Sequence, residues 1–156
     1  MFFTFIECDF GFTGELLYLR DEDSLSYHPW NTNVGVSIIC GAYTGLDTIC
    51  ETGLIAQLSG LCPKSVWIPM KSKMPQAIKG NLTAHFDSPP MRGTGVDYDT
   101  SWKAYYSKKD SSICIGDYHV FDSDMCVEFA SGLVAVLRNG QLTAVWGKVR
   151  EVKTAP

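Results

Sequence analysis

The chain has only three imidazoles, His28, His85 and His119. His85 stands two residues before Asp87, and His119 two residues after Asp117. Residues at i and i+2 share one face of a strand. On neighbouring strands, His85, Asp87, Asp117 and His119 would bring two imidazoles and two carboxylates together, a set able to bind a metal or share protons. The same spacing also arises wherever polar residues line the wet face of a half-exposed sheet. Other chemistry is harder to build. No Gly-x-Ser-x-Gly elbow, phosphate-binding glycine loop or dinucleotide fingerprint occurs. Asp122-Ser123-Asp124 with Glu128 lacks the glycine and the ligand spacing of a calcium loop.

The cysteines, at 8, 40, 50, 62, 114 and 126, contain no Cys-x-x-Cys pair, which argues against structural zinc. Ile38-Ile39-Cys40 and Ile113-Cys114-Ile115 place thiols inside apolar runs, where cysteine acts as a small hydrophobe. A Cys–His dyad would need Cys114 or Cys126 beside His119. Asp122, Asp124 and Glu128 around Cys126 disfavour a thiolate. The expectation is a protein without catalytic residues, cofactor or metal, its thiols reduced and buried.

Charge is more informative. The net charge of −4 argues against sequence-independent nucleic-acid binding, which depends on cations neutralising phosphates. From Thr52 to Phe86 there are lysines at 64, 71, 73 and 79 and no acid. These lysines, with Trp67 or Trp146, keep open a second alternative, single-stranded nucleic acid held on a lysine-bearing sheet. Residues 87–128 carry Asp87, Asp97, Asp99, Asp110, Asp117, Asp122, Asp124 and Glu128 against four bases. Tyr98, Trp102, Tyr105, Tyr106, Tyr118 and Phe121 are interleaved with them. If this stretch forms one surface, its acids and aromatic anchors suit a basic protein partner. The candidate contact residues are Asp97, Tyr98, Asp99, Trp102, Asp117, Asp122 and Asp124.

These side chains must be positioned by strands. Short β-rich runs recur every eight to twelve residues, separated by Gly, Pro and Asn, and no helical period fills a window. The expected fold is one mostly β domain over residues 1–156: an antiparallel sandwich or partly open barrel of about ten short strands, with at most one or two short helices, in 20–31 or 69–78. Strands at 2–8 and 15–20 suggest an N-terminal hairpin. Residues 21–33 read as a loop. A second hairpin turns at Glu51-Thr52-Gly53. Val66-Trp67-Ile68 reads as a short edge strand closed by Pro69. Residues 87–101 read as the longest irregular segment. The surest signal is Asn139-Gly140 between two β-rich runs, since both central residues of a type I′ turn need positive φ. Arg138, Lys148, Arg150 and Lys153 make this C-terminal hairpin basic, so it is expected to lie away from the acidic stretch.

The apolar N-terminus, Met1-Phe2-Phe3-Thr4-Phe5-Ile6, is interrupted by Glu7 and Asp9. It reads as a strand rather than a signal peptide, and no run approaches the ~18 apolar residues of a membrane span. A cytoplasmic location without membrane contact is expected.

Phe10-Gly11-Phe12-Thr13-Gly14-Glu15-Leu16 opens the chain, Thr52-Gly53-Leu54-Ile55 leads to Gly60-Leu61-Cys62-Pro63 and Trp67, and Val127-Glu128-Phe129-Ala130 closes through Leu142, Val145 and Trp146. This layout resembles small, acidic, β-rich immunity proteins of bacterial polymorphic and contact-dependent toxin systems. The resemblance implies a cytosolic, non-enzymatic protein that binds and blocks a cognate toxin, often a basic nuclease, by occluding its active site.

Overall fold

The computed structural model describes residues 1–9 and 11–156. Phe10, the first residue of the opening glycine-rich motif, lies outside them. The alternation of apolar and polar residues becomes fourteen strands among the described residues. The first seven are β1 (Phe2–Glu7), β2 (Glu15–Leu19), β3 (Ser24–His28), β4 (Val34–Cys40), β5 (Thr44–Ile49), β6 (Ile55–Leu61) and β7 (Ile68–Pro69). The rest are β8 (Ile78–His85), β9 (Thr94–Asp99), β10 (Ala104–Ser107), β11 (Ser112–Gly116), β12 (Met125–Ala130), β13 (Leu133–Arg138) and β14 (Gln141–Val152). They form one curled, open sheet, a half-barrel. Lys64–Val66 makes the one helical turn among the described residues, and no helix among them is long and apolar enough to cross a membrane.

The sheet is organised by β14. Its first part runs antiparallel to both β13 and β11, and its last residues, Val149–Val152, run parallel to Leu16–Leu19 of β2. Beyond β11 come β10 and the two-residue β7, and beyond β13 come β12, β8 and β1. From β2 the sheet continues through β3, β6, β5 and β4 to β9. One long strand therefore belongs to both halves.

Period two sorts its neighbours into two cores. Ile113, Ile115, Leu133, Ala135, Leu137, Leu142 and Val145 face inward and pack with Leu16, Tyr18, Leu25, Tyr27, Ile38, Leu46 and Leu58. Between Val136 and Leu137 the register slips, leaving Thr143 as the extra residue of a bulge, so that Leu142 and Val145 both point inward. The opposite parity, Cys114, Val134, Val136, Ala144 and Trp146, forms a second core on the outer face. Met70, Met74 and Ala77, from the irregular segment before β8, cover it together with Tyr105 and Tyr118. This explains why β11 is buried along its whole length and β13 over all but Arg138.

Asp110 fastens the cover. Its carboxylate accepts from Met74 N at 2.9 Å, Ser112 Oγ at 2.8 Å and Lys148 Nζ at 2.6 Å. Burial works against its ionisation, but these donors outweigh burial and hold the carboxyl at about 2, below its ordinary 3.8.

The C-terminal hairpin lies where the sequence places it. Asn139 and Gly140 both have positive φ, 54° and 76°, as a type I′ turn requires. The β5–β6 hairpin also turns at the expected residues. Several other features differ. β1 pairs with β8 rather than β2, and β2 pairs with β3, so there is no N-terminal hairpin. The presumed loops hold β3 and β9. β3 is polar on one face only, with Leu25 and Tyr27 buried. β9 runs parallel to β4 along the sheet edge. Parallel pairs also join β7 to β10, β8 to β12 and β2 to β14, where the sequence suggested only antiparallel ones. Residues 20–31 and 69–78 contain no helix.

Cys40, Cys50, Cys62, Cys114 and Cys126 are free thiols. Cys40, Cys62 and Cys114 are buried and Cys8, Cys50 and Cys126 half-buried. Burial pushes the Cys40 thiol up to about 12 and raises Cys62, Cys114 and Cys126 as well.

Trp146 is fully buried, and its Nε1 meets no hydrogen-bond acceptor among the described residues. Trp146→Ala should cost ~3–5 kcal/mol in urea denaturation. Trp146→Phe should cost less than half as much, because no hydrogen bond is lost and an unsatisfied N–H is removed. A second expectation concerns acid. Asp110 is more acidic in the folded chain than in the unfolded one. Its contribution is therefore complete above the ordinary value and is lost as pH falls to about 2. The methyl NMR resonances of Met70 and Met74 should move toward random-coil positions as pH drops from about 4 to about 2, and should already do so near neutrality in Asp110→Ala.

Candidate functional site

β9 forms the free edge of one half of the sheet. The chain leaves its end at Asp99 and crosses to β10 through Trp102. β11 ends at Gly116, from which Asp117 projects beside the β13–β14 hairpin. These segments enclose an open cleft of about 470 Å³ lined by Tyr98, Asp99, Trp102, Asp117, Arg138, Gln141, Leu142 and Thr143. Four of the seven predicted contact residues, Tyr98, Asp99, Trp102 and Asp117, therefore line one cleft, although 19 positions separate Tyr98 from Asp117 in the chain.

The aromatic wall is rigid. Tyr98 meets Phe3 and Trp102 edge to face, at 5.4 Å and 5.7 Å between centroids. Its hydroxyl donates to the Leu142 carbonyl at 2.9 Å and lies 3.2 Å from Gln141 Oε1. Burial raises the Tyr98 hydroxyl above its usual value, so it remains a neutral donor. Both rings are half-buried, each with one side on the core and one in the cleft.

The charged wall centres on Arg138. Its guanidinium grips Asp124 in a fork, with Nε and Nη2 each 2.8 Å from a carboxylate oxygen. It also stacks over Phe121 at 4.5 Å. The hydrogen bond to Arg138 holds the Asp124 carboxyl below its ordinary value. Asp117 lies 3.8 Å from Arg138 Nη1 and accepts from His119 N at 2.9 Å, with His119 Nδ1 at 3.0 Å. Asp99 accepts from the amide and hydroxyl of Ser101, at 3.0 Å and 2.5 Å, and has no cationic partner among the described residues.

The remaining candidates sit apart. Asp97 is exposed on the opposite side of β9 from Tyr98. Asp122 is exposed on the turn before β12. Asp124 is consumed by Arg138 and faces the cleft only through it. Residues 87–128 do not form one surface: Asp110 is committed to Lys148, and Tyr105, Tyr106 and Tyr118 pack on the cores.

The alternative set of four does not come together. His85 stacks on Phe2 and bonds Thr4 Oγ1 at 2.8 Å. Asp87 pairs with the Met1 amino group, while Asp117 and His119 pair with each other. Among the described residues no three His, Cys, Asp or Glu side chains are grouped to hold a metal ion. The lysine-bearing sheet is not assembled either. Only Lys79 lies in a strand, Lys64 pairs with Glu151, and Trp146 is buried.

The hairpin at Asn139-Gly140 is a correction of another kind. Instead of lying away from the acidic residues, it supplies Arg138, Gln141, Leu142 and Thr143 to the cleft. The basic character of this region is largely neutralised within the fold, by Arg138–Asp124, Lys148–Asp110 and Arg150–Glu15. Reciprocal charge in the two segments was the one sequence signal that could have joined them. The fold and cleft define a half-barrel β protein with an acidic, aromatic-walled groove at a sheet edge. No protein-family model matches the chain, and no curated protein matches it in sequence.

Gly116 aims Asp117 into the cleft. Its φ is +115°, and a Cβ there would lie 2.5 Å from the Thr143 carbonyl oxygen. Gly116→Ala should destabilise the protein by about 2 kcal/mol or more in urea denaturation and move the Asp117 and His119 amide resonances.

Proposed function

We propose that the protein is a non-enzymatic binder that neutralises a protein partner by inserting its acidic edge into a cationic site. A toxin is the partner class that the layout implies, and immunity the corresponding role. The observation that carries this reading is the convergence of Tyr98, Asp99, Trp102 and Asp117 on one open cleft. Asp99 has no cationic partner among the described residues, and Asp97 and Asp122 add exposed negative charge. Charges of this kind steer association, while part-buried aromatics set the lifetime of a complex. Tyr98 and Trp102 are held in place before binding, so little side-chain entropy is lost on contact. The cytoplasm is where such an interaction would take place.

The test is co-expression with the product of the adjacent gene in the native genome, scored for growth and for binding kinetics. Asp97→Lys with Asp99→Lys should abolish protection and slow association by about tenfold or more at low salt. Trp102→Ala should leave association nearly unchanged and speed dissociation by about tenfold. Full protection by the charge-reversed protein would contradict the reading.

A further inference from the structure

A second polar site lies on the outer face of the other half of the sheet. Asp47, in β5, is only 4% exposed, yet it forms part of the floor of an open groove of about 510 Å³. Strand register brings Ser37 of β4 and Gln57 of β6 opposite it. Asp47 Oδ1 accepts from Ser37 Oγ at 2.6 Å, and Oδ2 accepts from Ser59 Oγ at 2.7 Å and Gln57 Nε2 at 3.0 Å. The Gln57 amide cannot be turned around without loss, because its Oε1 accepts from Asn31 N at 3.0 Å. Its NH₂ must therefore face Asp47, which identifies Asp47 as the acceptor.

Two consequences follow from this wiring. First, a buried carboxylate is ordinarily paired with a cation, and among the described residues Asp47 has no ion-pair partner. Arg92, on the groove wall, is turned to Glu51 at 3.1 Å and to the Val34 carbonyl at 3.4 Å. Second, both serine hydroxyl protons are used on Asp47. The floor is left with acceptors only: the spare lone pairs of Ser37, Ser59 and the carboxylate. A saccharide or other hydroxyl-bearing ligand would need donors from the floor as well; the donors in the groove, on Arg92 and the Trp30 indole, belong to its walls. A group that is cationic and donates through several N–H bonds, with no acceptor of its own, matches the floor in both charge and hydrogen bonding. Trp30, 46% exposed, stands at the groove wall, and its loop is tied to β6 by the same Asn31–Gln57 bond. An indole face beside a carboxylate favours a cation.

We propose that the Asp47–Ser37–Ser59 groove, walled by Trp30, binds a guanidinium or primary ammonium group. The site is separate from the Asp99–Asp117 cleft and does not depend on the function proposed for it. Such a group is found on small organic cations and on Arg or Lys side chains alike.

Amide and indole NMR titrations of the full chain with methylguanidinium, methylammonium and tetramethylammonium test the inference. The first two probes should saturably shift Ser37, Asp47, Ser59 and the Trp30 indole. Tetramethylammonium, which has no N–H donor, should bind about tenfold more weakly. Asp47→Asn should abolish these shifts. The substituted amide can still accept from Gln57 and Ser59 and can donate to Ser37, so the variant keeps a route to folding. If it does not fold, Trp30→Ala decides, with about fivefold weaker methylguanidinium binding expected. Groove shifts that survive Asp47→Asn, equal binding of tetramethylammonium, silent groove resonances, or an unaffected Trp30→Ala would each overturn the proposal. To separate the two sources of the group, arginine-containing and lysine-containing peptides are compared with the free cations. Tighter binding of a peptide points to a partner's side chain, and equal binding points to a small molecule.

Discussion

Everything in this fold depends on β14 serving both halves of the sheet at once. Its first part is wedged between β11 and β13, and its end pairs with β2. A strand used in this way must satisfy two packing environments in succession. The bulge at Thr143 restores the parity that keeps Leu142 and Val145 in the main core while Ala144 and Trp146 fill the outer one. Gly147 marks the crossing, where a Cβ would sit 2.6 Å from Leu16 Cδ2. The half-barrel stays open because β1, β7 and β9 end the sheet at different places instead of closing on one another.

The same constraint shapes the acidic cleft. Because β14 returns beside β11, the start of the hairpin and the end of β11 lie at one rim, and β9 reaches that rim from the other half. Three stretches distant in sequence thus meet only because β14 joins the halves. The fold also removes positive charge from this rim. Arg138 is locked to Asp124, while Lys148 and Arg150 are occupied elsewhere. Negative charge at Asp97, Asp99 and Asp122 is left outward.

Much of the fold was legible where structure is local. Asn139-Gly140, Glu51-Thr52-Gly53 and the alternation through Leu82 and Ala84 report short-range geometry that a chain of any topology would share. β3 was hidden because only Leu25 and Tyr27 of its five residues are apolar. β9 was hidden because Gly95 and Asp97 are exposed on a sheet edge, Asp99 is half-buried at the strand end, and the three carry no strand signature. Pairings such as β1 with β8 join residues about eighty apart, and parallel partners leave no turn between them to be read. For the cleft, the acids and aromatics stood out by composition. Arg138 did not, since its role is fixed by Asp124 across two strands. Asp47 was hidden in an apolar hairpin, and its three side-chain donors come from two neighbouring strands.

The central claim is that function sits at the β9–β10–hairpin rim. It is tested most directly by a hydrogen-exchange footprint of the protein bound to its native partner. The account predicts new protection at residues 96–102, 116–119 and 138–143, fading as salt is raised. Protection centred instead on β1 and β8, with that rim exchanging as in the free protein, would contradict it.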